Sequence, residues 1–243
     1  MKPDQNRTKP EFKKKDVRRI IKRCRLPDQY TQYLLNLLDM GVDGLVMDSL
    51  REKPEDTLEI MQRRFERCCA ITGLTPDKLF EASDVGMNDI KVDRLDSFWA
   101  ELRSICYLDN ESFGYIEYLR ARKDKTTVDI KCKRDGHSFC FDVACGTFKE
   151  DKAVMPAQIP ERLKNKYDEK WKQLIQSKGE FGSENIGIIY VLNAEPVQTV
   201  CDLEKYKAML REVHGMLDDS TNVYTVIVDG VDDTNYPAWP VGD

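Results

Sequence analysis

Thr127-Val128-Asp129-Ile130-Lys131-Cys132-Lys133-Arg134-Asp135-Gly136-His137-Ser138-Phe139-Cys140-Phe141-Asp142-Val143-Ala144-Cys145 is the stretch on which the fold turns. Asp135-Gly136 at its centre is the strongest short-range hairpin signal in the chain, because a two-residue turn with positive φ at both positions favours this pair. Such a turn sets the register of the flanking strands. Arg134 faces His137, Lys131 faces Cys140, and Asp129 faces Asp142. Val128, Ile130 and Cys132 then share an apolar face with Phe139, Phe141 and Val143, while the two aspartates meet on the other face. Directly opposed like charges stand about 5 Å apart and repel. One compensation is a divalent cation, since oxygen-rich carboxylate clusters suit magnesium or manganese. The other is neutralisation by Lys131 and Lys133 on the same, exposed sheet face.

Working outward, residues 115–121 read as a strand before this hairpin, whose own strands span 127–133 and 138–145. A helix over 92–108 precedes them, with Leu95, Phe98, Trp99, Leu102, Ile105 and Cys106 along its apolar stripe. Downstream come a helix over 160–178 through Leu163, Tyr167, Trp171, Leu174 and Ile175, a strand over 186–192, a helix over 203–217 and a strand over 223–228. Gly187-Ile188-Ile189-Tyr190-Val191 is apolar throughout, which is how a central parallel strand covered on both faces reads.

The first third is helical. Val17, Ile20, Ile21 and Cys24 make one stripe, and Tyr30, Tyr33, Leu34, Leu37 and Leu38 make the next, stopped by Gly41 and Gly44. A third helix opens at Pro54 and carries Leu58, Met61, Phe65 and Cys68 to a stop at Gly73; a short fourth follows Thr75-Pro76-Asp77. Residues 84–93 read as a linker, dividing the chain into an N-terminal helical region (1–91) and an α/β domain (92–243). Charge is unevenly spread. Residues 1–25 hold eleven Lys and Arg against three acids, net +8 in a chain of net -5, which leaves -13 for the remainder. This basic arm suits either phosphate binding or docking on the acidic body.

Composition excludes several classes. No apolar run approaches the roughly 20 residues that cross a bilayer, and the basic N-terminus lacks a signal-like apolar stretch, so no membrane partner is expected. Eight cysteines without a scaffold rhythm read as buried free thiols in a reducing, intracellular compartment, cytoplasm or nucleus. No Cys-x-x-Cys exists, and His137 and His214 have no second ligand at zinc spacing. There is no phosphate-binding Gly-x-x-x-x-Gly-Lys loop and no Gly-x-Ser-x-Gly elbow.

The element order and acids resemble the PD-(D/E)xK nuclease superfamily, which includes restriction endonucleases. Its motif is a helix glutamate, an aspartate on the second strand, then Asp or Glu, any residue, and Lys on the third. The matching stretches are Phe98-Trp99-Ala100-Glu101-Leu102, Thr127-Val128-Asp129-Ile130 and Phe141-Asp142-Val143-Ala144, within about residues 92–230. The resemblance implies a restriction-endonuclease-like αβββαβ core, a mixed sheet flanked by helices, carrying the N-terminal helical region. It implies a metal-dependent nuclease acting on DNA or RNA, with Glu101, Asp129, Asp142 and the Val143 main-chain carbonyl holding Mg2+ or Mn2+. Ala144 departs from the motif, standing where the family has its lysine. Lys131, or Lys164 or Lys170 on the following helix as in viral cap-snatching endonucleases, are the candidates to replace it. If none does, the same fold is a catalytically inactive nucleic-acid-binding or assembly module; a homodimer or larger assembly stays open in either case.

Overall fold

The computed structural model describes residues 13–83, 85, 92–119, 128–146, 159–192, 203–217, 222–229 and 234–238. Within them the chain is an α/β protein. Five helices come first: α1 (Lys14–Ile21), α2 (Asp28–Met40), α3 (Leu45–Glu52), α4 (Pro54–Thr72) and α5 (Pro76–Ala82). Helix α6 (Val92–Asn110) leads into strands β1 (Gly114–Tyr118), β2 (Ile130–Arg134) and β3 (His137–Gly146). Then α7 (Ile159–Phe181), β4 (Asn185–Leu192), α8 (Leu203–Met216), β5 (Val223–Asp229) and β6 (Thr234–Ala238) complete the order.

The six strands form one sheet in sequence order. Neighbours β1 and β2, β2 and β3, and β5 and β6 are antiparallel, whereas β3–β4 and β4–β5 are parallel and are joined through α7 and α8. The hairpin has the register expected from Asp135-Gly136, running from Arg134–His137 to Ile130–Phe141, and both turn residues have positive φ. Every residue of β4 is buried. Its side chains alternate between two cores: Ile189 and Val191 pack with α6, while Ile186, Ile188, Tyr190 and Leu192 pack beneath α7 and α8. The sheet is therefore the middle of three layers, and the first core continues from α6 into α1–α5.

That continuation is aromatic. Tyr30, Phe65, Phe80 and Phe98 meet edge to face or tilted at 5.0–5.8 Å between ring centroids, linking α2, α4, α5 and α6. Gly41 and Gly73 end α2 and α4 with φ of 67° and 70°, as their positions in the sequence suggested. The arm's later part is docked: Val17 and Ile21 are fully buried, and the Arg18 guanidinium meets Asp39 at 2.5 Å. Residues 1–12 lie outside the described residues, as does most of the expected linker over 84–93.

Two elements go beyond the sequence expectations. Helix α3 is only eight residues long and is held by burial of Val46, Met47 and Leu50, a tertiary effect that short periodicity does not reveal. Strand β6 contains Pro237, which reads as a strand breaker but is tolerated at a sheet edge, where one ladder donor is dispensable. Seven described cysteines are free, and Cys68, Cys106, Cys132 and Cys140 are buried. No described helix is long and apolar enough to cross a membrane.

Candidate functional site

The expected ladder breaks one residue before the aspartates would face each other. Strand β2 begins at Ile130, and Asp129 sits in a bend. Its main chain keeps both neighbours: the Asp129 N–H donates to the Phe141 carbonyl at 3.0 Å, and its own carbonyl accepts the Leu119 N–H at 2.8 Å. Its side chain turns so that Oδ2 accepts the Val143 N–H at 2.7 Å. The bend also corrects the place expected for Val128, which packs in the core beneath α7 rather than with Ile130 and Cys132. Its N–H donates to the Ser177 hydroxyl of α7 at 3.3 Å.

The acids' face is not an exposed sheet surface. Helix α7 covers it, and Asp142 is 1% exposed. Across from it, Gln173 donates to Oδ1 at 3.0 Å, and the Lys170 ammonium lies 3.4 Å from Oδ1 and 3.3 Å from Oδ2. Among the described residues, no group hydrogen bonds Oδ2. The two lysines expected to neutralise the acids are engaged elsewhere. Lys131 pairs with Glu117 at 3.9 Å and stands 5.6 Å from the Phe181 ring centroid, and Lys133 lies over Tyr115. Lys164 pairs with Asp168 on its own helix. Lys170 is thus the candidate that reaches Asp142, because α7 crosses β3 at that level. Ala144 is buried among α7-side residues and in register with Tyr190.

Glu101 arrives from the opposite layer. Its carboxylate accepts the Tyr118 hydroxyl of β1, and its charge is felt by both Tyr118 and Asp129. Burial raises the Asp129 pKa well above the usual carboxylate value, and the neighbouring Asp142 and Glu101 charges push it further. Burial also raises the Asp142 pKa, against the pull of Lys170. The Tyr118 phenol is pushed up by burial and by Glu101, so it stays protonated as a donor. His137 is exposed and meets Glu184 at 2.7 Å, while His214 is held below its ordinary pKa by burial.

Among the described residues, no three Asp, Glu, His or Cys groups stand together as a ready metal cluster. The donors nearest that role are the Asp129 and Asp142 carboxylates. They fit a hard divalent cation in chemistry, being neighbouring oxygen donors whose charges repel, with one buried oxygen, Asp142 Oδ2, that no described group hydrogen bonds. Tyr118, Gln173 and Ser177 were not singled out from the sequence. Gln173 lies three residues beyond Lys170 on the same helical face, a spacing that could have flagged it; Tyr118 carries no local signal. No protein-family model matches the chain, and no characterised protein matches it in sequence.

Proposed function

We propose that this chain is a nuclease-like protein of the PD-(D/E)xK type, with a restriction-endonuclease-like core, that hydrolyses phosphodiester bonds of DNA or RNA with a divalent metal. The observation that carries the reading is a pair of mutually repelling carboxylates, half-buried Asp129 and buried Asp142, with the Lys170 ammonium beside Asp142. Like charges withdrawn from water are costly, and a site that retains them has a use for a cation. In this reading Asp129, Asp142 and the Val143 carbonyl hold magnesium or manganese, with Glu101 completing the acidic set from α6. When bound, the ion supplies Lewis-acid polarisation of a phosphoryl oxygen and a water of lowered pKa. Lys170 replaces the motif lysine, its ammonium countering charge that develops on the phosphate. Gln173 holds the Asp142 carboxylate toward the seam, and Tyr118 fixes Glu101.

The test is manganese titration of the intact protein and of Asp142→Asn, read by calorimetry and by melting. Manganese should raise the wild-type melting temperature, by preferential binding to the folded state, and the variant should show no such rise. An unchanged rise in the variant would sink the assignment.

A second reading has its own support. Ala144 occupies the motif lysine's position, and the Lys170–Asp142 ion pair already neutralises part of the site without a metal. On that reading the chain is an inactive nucleic-acid-binding or assembly module. Lys170→Ala separates the two: an active enzyme loses metal-dependent cleavage of DNA or RNA while manganese still binds, whereas Lys131→Ala keeps its cleavage. Absence of cleavage by the wild type across single- and double-stranded DNA and RNA selects the inactive module.

A further inference from the structure

Arg162, Lys166 and Lys170 recur at every fourth residue of α7 and so form one row along the helix. Both ends of that row are tied to buried groups on the sheet. Lys170 meets Asp142, and Arg162 hydrogen bonds the hydroxyl of Tyr190, which is 3% exposed. Lys166, between them, lies near enough for its charge to act on Asp142. The row therefore follows the seam between α7 and the C-terminal halves of β3 and β4. At the Tyr190 end the seam is tight: a Cβ on Gly146 would lie 2.8 Å from the tyrosine oxygen. Open α/β sheets bind ligands beyond the C-terminal ends of their strands, where this row leads.

Helical rise sets successive cations about 6 Å apart, close to the repeat of phosphates along one nucleic-acid strand. Lys166 pairs with Glu169 at 2.7 Å, but both side chains are substantially exposed, so that contact is weak and yields to a phosphate. The row is a single side chain wide and ends on Asp142, which is 1% exposed under α7, so it matches the phosphates of one strand rather than the two backbones of a duplex. We infer that Arg162 and Lys166 bind consecutive backbone phosphates of a single-stranded nucleic acid, leading its chain away from Asp142. The inference rests on the phosphodiester-cleaving reading and names the form of its substrate.

Fluorescence anisotropy of the full chain with labelled single-stranded DNA, single-stranded RNA and their duplexes, in EDTA across a salt series, tests it. Arg162→Gln/Lys166→Gln should flatten the log-log salt slope for single strands by about 1.4, two phosphates at about 0.7 each, with about tenfold weaker binding at moderate salt. A charge-matched control, Lys172→Gln/Lys78→Gln, should leave slope and affinity as in the wild type. Lys166→Gln alone, whose ion-pair partner Glu169 is exposed, should give about half the change in slope. An unchanged slope in the row variants, an equal change in the control, or the same residue-dependent binding of duplexes would overturn the inference. The DNA and RNA arms tell which sugar the row accepts. Because the measurement is made in EDTA, failure of manganese to bind the wild type would remove the metal reading and leave this result standing.

Discussion

Gly187→Ala should lower stability by on the order of 3 kcal/mol or more, and the melting temperature by roughly 6–12 °C. The reason is space, not backbone conformation. Gly187 lies in β4 between Phe141 of β3 and Tyr224 of β5. An added Cβ would stand 2.1 Å from the Tyr224 carbonyl oxygen and 2.9 Å from a Phe141 ring carbon. The carbonyl cannot retreat freely, because the buried Tyr167 hydroxyl binds it at 2.9 Å and also meets Thr225 at 2.7 Å. Relief therefore has to come from separating β4 from β5 at the centre of the sheet, where both cores meet. Thermal melting of the single variant checks this, and a loss below about 2 °C would show that the strands yield easily.

Asp129→Asn should stabilise the metal-free protein at neutral pH by on the order of 1–3 kcal/mol, because it removes a carboxylate charge that burial, Asp142 and Glu101 disfavour in the folded state while keeping the polar group. The folded-state pKa of Asp129 is raised above its ordinary value of 3.8, by burial first and then by Asp142 and Glu101. Below 3.8 the carboxyl is protonated in both states and carries no penalty. As pH rises above that value, the unfolded chain ionises freely while the folded chain holds its proton, so stability falls until the folded group also ionises. The wild type should thus lose stability as pH climbs from about 4, and Asp129→Asn should flatten that decline. Asparagine keeps an oxygen to accept the Val143 N–H, so the variant removes charge with little loss of bonding. Melting across pH 4 to 8 in EDTA is the measurement. A variant less stable than the wild type throughout that range would mean that Asp129 is compensated in the folded state.

How far the site was legible follows from the range of the interactions involved. Asp129 and Asp142 were visible because the Asp135-Gly136 turn is a local signal that sets cross-strand register, and that register holds from Arg134–His137 to Ile130–Phe141. The bend at Asp129 was not visible. It depends on the Val143 N–H and the Ser177 hydroxyl, groups 14 and 49 residues away from the residues they bond. The same distinction explains the lysines. Lys131 is adjacent to the acids in strand pattern, and a sequence reading brings it forward; its partners, Glu117 and Phe181, come from a neighbouring strand and the end of α7. Lys170 reaches Asp142 only because α7 crosses the face that the hairpin pattern alone leaves open.

The sequence by itself determined the alternation of helices and strands, the hairpin register, the doubly buried character of β4 and the clustering of basic charge at the N-terminus. These are local or periodic properties, set by side-chain spacing and turn chemistry within a few residues. Tertiary structure alone decided that α7 buries Asp142 and supplies its cation, that Tyr118 meets Glu101, that α3 and the proline-containing β6 form, and that α1 docks through Val17 and Ile21. Each of those depends on surfaces brought together from distant parts of the chain. Their energies come from desolvation and packing, which exist only once both surfaces are in place.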